Sequence, residues 1–170
     1  KDPLSLGLIG LAEALPSITV SLYAGHVADV VQRKKIIITG VFTLLLCSIV
    51  LLAFTTDASA ALATFGAVPI YAVIFVTGIA RGFITPALFA FMPQLVPREL
   101  YGNAITWNST FWETASIAGP PIGGLIYGFF GVTAAYSIDV ALILIGFVLF
   151  TFIKDKPLPP SAEDPGIVDK

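Results

Sequence analysis

The sequence is short of charge. Asp, Glu, Lys and Arg together make up 12% of its 170 residues, about half the share in an ordinary soluble domain. Nine Lys and Arg against eleven Asp and Glu leave a formal charge of −2, so there is no basic surplus to hold nucleic-acid phosphates. There is one cysteine, Cys47, inside an apolar run. That excludes a disulfide framework and a thiolate metal site. His26 is the one histidine and has no partner at ligand spacing, so no metal, cofactor or hydrolytic centre is expected and an enzyme is not the reading. The chain starts at Lys1 and its first apolar stretch holds Glu13 and Pro16, unlike the basic start and clean apolar centre of a secretory signal. It reads as a piece of a longer polypeptide.

What is present in excess is apolar surface: 56% hydrophobic residues and a mean hydropathy of +0.92, more than one core of this length can hide. Lipid is the implied solvent. A membrane-crossing helix needs about twenty mostly apolar residues, because hydrocarbon satisfies no backbone group. Five stretches qualify, at about 5–27, 36–54, 68–92, 102–127 and 133–153. The expected fold is an all-α integral membrane bundle over 1–154. A Pro-rich acidic tail at 155–170 reads as a cytoplasmic linker or frayed end.

The cations set the expected orientation. Arg33, Lys34 and Lys35 lie between spans one and two, Arg98 between three and four, and Lys154 and Lys156 after span five, whereas the connections 55–67 and 128–132 hold no Lys or Arg. The positive-inside rule places the basic ends in the cytoplasm and the amino end outside.

Four ionisable residues fall within spans: Glu13, Arg81, Glu113 and Asp139. At about 1.5 Å per residue, the first three come within a turn or two of the midplane, and Asp139 sits nearer the outer face. Such groups cost several kcal/mol to insert and mark functional positions by default. Burial without a counter-charge disfavours a carboxylate and a nearby Arg favours it, so an acid that changes its distance from Arg81 between two conformations binds and releases a proton. A permanent Arg81–Glu pair stapling two spans, with the other acids hydrogen-bonded to hydroxyls, is the static alternative. Trp107, Phe111, Trp112 and Tyr23 offer stacking surface or, near helix ends, interface anchors.

Two motifs carry a family resemblance. Between spans one and two stands Gly25-His26-Val27-Ala28-Asp29-Val30-Val31-Gln32-Arg33-Lys34-Lys35, with a bare helix end at Gly25, an acceptor at Asp29 and a basic triplet able to hold acidic groups or lipid phosphate. Its Gly, Asp and Arg-Lys spacing resembles the signature loop between helices two and three of the major facilitator superfamily, with Val30 and Gln32 where that pattern has Arg and Gly. In span four, Ala118-Gly119-Pro120-Pro121-Ile122-Gly123-Gly124 combines a bend with a bare face for helix packing or sliding. Gly119, Pro120, Gly123 and Gly124 resemble the Gly-Pro-x-x-Gly-Gly core of the antiporter motif of exporters, with Ala115 where Gly is common. At about 100° per residue, Glu113, Pro120 and Gly124 share one helix face. The stretches 80–97 and 11–29 are similar to the branch of the superfamily containing the enterobactin exporter and macrolide efflux proteins.

The resemblance implies that the five spans are helices two to six, most of the amino-terminal six-helix half, with helix one and the second half of the parent chain as missing partners. It also implies that Glu13, Arg81 and Glu113 are on cavity-lining helices and candidates for proton coupling or substrate contact. In the same way it makes Gly25, Asp29, Arg33 and Lys34 a conformational-switch loop, places span two peripherally, and gives Asp139 a structural polar role. The implied function is proton-coupled antiport in a bacterial inner membrane, exporting amphipathic small molecules such as drugs or siderophores by alternating access. Protons, substrate and membrane lipids are then the partners. An importer or lipid transporter of the same fold, and less readily a non-transport membrane subunit, remain alternatives.

Overall fold

The computed structural model describes residues 3–55 and 66–154, and their side chains other than those of 3–6, 22 and 28–30. The expected small-residue connection at 55–67 falls mostly, and the tail at 155–170 wholly, outside the described residues. The chain is helical: α1 Pro3–Val30, α2 Arg33–Thr55, α3 Val68–Leu95, a short 3-10 turn Arg98–Leu100, and α4 Tyr101–Thr151. The helix α4 is not one rod. At Gly131 the backbone turns to φ 83° and ψ 175°, a left-handed value that glycine adopts without a Cβ penalty. This residue divides α4 into a first arm (101–130) and a second arm (132–151), where the sequence reading places spans four and five. Among the described residues, α2, α3 and the run containing α4 are long and apolar enough to cross a membrane, and α1 holds the shorter apolar stretch Gly7–Ser21.

Packing is uneven. Helix α3 is the hub, meeting α1 on one side and α2 on another, while α2 also meets α4 and barely touches α1. The core joins Ile37 of α2 to Ala87 and Phe91 of α3, with Phe150 and Ile153 packed against it. The Phe91 and Phe150 rings lie 6.0 Å apart and those of Phe42 and Phe147 5.9 Å apart. Helix α2, whose charge-free span 36–54 is expected at the periphery, buries Ile37, Gly40, Leu45, Cys47 and Ser48. Backbone carbonyls absorb many of the hydroxyls: Thr19 donates to Leu15, Thr77 to Val73, Thr106 to Gly102, Thr110 to Thr106 and Ser137 to Thr133, so these polar side chains need no water.

One end of the bundle is basic. The carboxyl ends of α1, α3 and α4 and the amino ends of α2 and α4 meet there. Arg33 donates from Nη1 to the Ala90 carbonyl at 2.8 Å, Lys34 reaches the Thr151 carbonyl at 3.4 Å, and the Tyr101 hydroxyl donates to the Pro93 carbonyl at 2.7 Å. Cations at helix carboxyl ends are favoured by the exposed carbonyls and the dipole. The signature segment is thus mostly helix. Gly25 and Asp29 belong to α1, Arg33 and Lys34 open α2, and Val31-Gln32 alone interrupts them.

Candidate functional site

The site begins with two glycines. Gly78 and Gly82, one turn apart on α3, are both buried, and a Cβ on Gly78 would run into the Glu13 carbonyl and Pro16 of α1. A Cβ on Gly82 would lie 2.9 Å from the Ser17 carbonyl and 3.2 Å from Val20. Real side chains do not fit at such spacings, so the α1 backbone rests in a notch that glycine alone leaves open. Sequence reasoning passed over this pair, although Gly-x-x-x-Gly in an apolar helix is the readable signal for close helix approach. Arg81 stands between the two glycines. The approach brings its Nη1 to 2.7 Å from Glu13 Oε1.

Glu13 and Arg81 are therefore an ion pair across the α1–α3 seam. The pair is not sealed in: 60% of the Arg81 side chain and 34% of that of Glu13 stay uncovered. Beside Arg81 lies a cleft of about 380 Å³ bordered by Ser17, Ser21, Thr85, Pro86 and Phe89. Glu113 occupies a neighbouring cleft of about 360 Å³ between α3 and the first arm of α4, with Thr85, Phe89, Met92, Asn108 and Trp112 in its walls. Thr85 and Phe89 border both clefts. Arg81 and Glu113 thus face adjoining spaces separated by one wall of α3. Among the described residues Glu113 is in no ion pair.

The remaining sequence candidates are dispersed. Among the described residues no other helix comes within 4 Å of a Cβ built on Gly25, and the Asp29 side chain lies outside the described residues. Arg33 and Lys34 are engaged at the basic end, as above. Among the described residues a Cβ on Gly119, Gly123 or Gly124 would likewise meet no neighbouring helix within 4 Å, which leaves the Gly-Pro face of the first arm uncovered by them. Asp139 accepts a 2.6 Å hydrogen bond at Oδ2 from the Ser48 hydroxyl, joining the second arm to α2 and away from the ion pair. Trp107 and Phe111 lie 5.6 Å apart, ring to ring, and they, Trp112 and Tyr23 are each more than half exposed. Tyr23 neighbours His26 at 6.4 Å. Among the described residues no group of His, Cys, Asp and Glu is arranged to hold a metal.

Comparison with known proteins follows the same line. Residues 2–168 match the family model described as Major Facilitator Superfamily. The chain is 29% identical over 91% of its length to multidrug resistance protein 2 of Bacillus subtilis, covering 36% of that protein. It is 28% identical over 81% of its length to macrolide efflux protein A of Enterococcus faecalis, covering 40% of it. Against multidrug resistance protein MdtG of Salmonella paratyphi C it is 34% identical over 51% of its length, covering 22% of that relative. The chain spans somewhat over a third of the first two. No solved structure matches it at a significant level.

Proposed function

Because the chain belongs to the Major Facilitator Superfamily, we propose that it is part of a transporter that exports amphipathic small molecules in exchange for protons by alternating access. Relatives named for multidrug resistance and macrolide efflux support export and a substrate with apolar bulk. The observation that carries the coupling half of the reading is the incompletely covered Arg81–Glu13 pair at 2.7 Å, next to a cleft wall shared with Glu113.

The charge arithmetic supplies the cycle. Arg81 pairs with Glu13 while Glu113 lines the adjoining cleft, and separation from a counter-charge favours the protonated form of an acid while return to it favours the carboxylate. Alternation between two conformations that differ in which acid Arg81 serves moves protons without any further chemistry. Substrate favours the conformation with the open cleft, where Trp112, Phe89 and Met92 supply soft apolar walls. The basic end, with Arg33 and Lys34 on helix carboxyl ends, is the proposed cytoplasmic side.

The test is accumulation of a fluorescent drug in bacterial cells expressing the full-length protein. Energised cells should keep the drug out, and a proton uncoupler should restore accumulation to the level of cells lacking the protein. Exclusion that persists in the uncoupler would overturn antiport.

A further inference from the structure

We propose that α1, α2 and α3 form a seat for one anionic phospholipid, an acyl chain lying in the groove between α1 and α2 and its phosphate held by Lys35. The proposal is independent of the transport reading.

Helices α1 and α2 both pack on α3 and barely touch each other, which leaves a trough floored by α3. Its volume is about 320 Å³, and its walls are nearly all apolar, including Val27, Ile36, Val76, Ile79 and Phe83. Among the described residues, the one charged residue in its lining is Lys35. The basic triplet is divided by direction. Arg33 and Lys34 donate to carbonyls at the ends of α3 and α4, on the far side of α2, whereas Lys35 lines the trough mouth and is exposed. From Lys35 to Thr43, the deepest α2 residue in the lining, is about 12 Å at helical rise. One leaflet of hydrocarbon is about 15 Å deep. The trough therefore runs most of the depth of one leaflet, with apolar walls for part of an acyl chain and a cation at its mouth.

Charge complementarity selects the occupant. An ammonium at the headgroup plane attracts an anionic phosphate, and the long lysine stem extends its charge toward that plane over an apolar surface. A zwitterionic lipid offers the same chain without the net charge, and free phosphate offers the charge without the chain.

The experiment is native mass spectrometry of the full-length protein, titrated with phosphatidylglycerol or phosphatidylcholine of matched acyl chains. The expected result is one retained phosphatidylglycerol, preferred over phosphatidylcholine by about fivefold, the worth of one lysine near an anionic headgroup. Lys35→Gln should abolish the preference and Lys35→Arg keep it. Val76→Trp, filling the deep end, should weaken both lipids. Equal binding of the two lipids by the unaltered protein would overturn the proposal, as would a preference that survives Lys35→Gln. Phosphatidylglycerol binding untouched by Val76→Trp, or displaced by glycerol phosphate at the same concentration, would show a headgroup contact without a chain seat. Equal binding of the two lipids by the unaltered protein overturns the proposal even if a variant fails to fold.

Discussion

The seam between α1 and α3 and the first arm of α4 are both glycine-rich and both apolar, yet they use glycine in opposite ways. In the seam, Gly78 and Gly82 lie so close to the α1 backbone that no side chain fits. On the arm, Gly119, Gly123 and Gly124 have open space around them. The seam glycines fix a distance, and that distance is what lets Arg81 reach Glu13. The arm glycines fix nothing within this chain, so they leave a face on which another helix can seat or slide. A glycine motif reports its role through its neighbour, and the same residue type means rigidity in one place and freedom in the other.

The largest effect should come from closing the notch. Gly78→Leu puts a branched side chain against the Glu13 carbonyl and Pro16, and is expected to remove folded full-length protein, read as loss of the monodisperse peak in detergent chromatography. Gly82→Leu should act in the same direction. Next in size is Ser48→Ala, which takes the donor from Asp139. Polar pairs between membrane helices average about 0.6 kcal/mol, so a shift of a few degrees or less in the melting temperature of the full-length protein is expected, with transport retained. The smallest stability effect should come from Gly123→Ala on the bare arm. Melting should stay within about 0.5 kcal/mol of the parent, while a severalfold fall in transport rate would show that the bare face moves against a neighbour. Equal thermal losses in Gly123→Ala and Gly82→Ala would erase the contrast between the two regions.

Much of the fold was legible because lipid imposes a simple rule: backbone must be satisfied within a helix, so apolar length marks each span. The break between the last two spans could be placed at the Gly128–Val132 segment because glycine and the absence of cations stand together there. The positions of the intramembrane charges were legible for the same reason, since a charge is conspicuous in an apolar run. Their pairing was not. Nothing in the linear order tells whether Arg81 meets Glu13 or Glu113; the choice follows from the Gly78–Gly82 notch, a packing feature that brings α1 close and was overlooked in the sequence. Ser48 was likewise invisible as the donor to Asp139, because a lone serine in a span usually bonds its own helix. The signature segment reads in sequence as a loop, but Gly25 and Asp29 continue α1, because the turn into α2 takes only Val31 and Gln32.

In the proposed cycle Glu13, Glu113 and Arg81 together handle protons, so that the Arg81–Glu13 pair is not a fixed staple. The most direct test is substrate-driven proton movement in proteoliposomes holding the full-length protein, comparing the parent with Glu13→Gln and Glu113→Gln. Coupling through these acids predicts at least a tenfold loss of substrate-driven proton flux in one of the two variants, with substrate binding and folding kept. Undiminished proton flux in both variants would contradict it and leave the pair as a structural tie between α1 and α3.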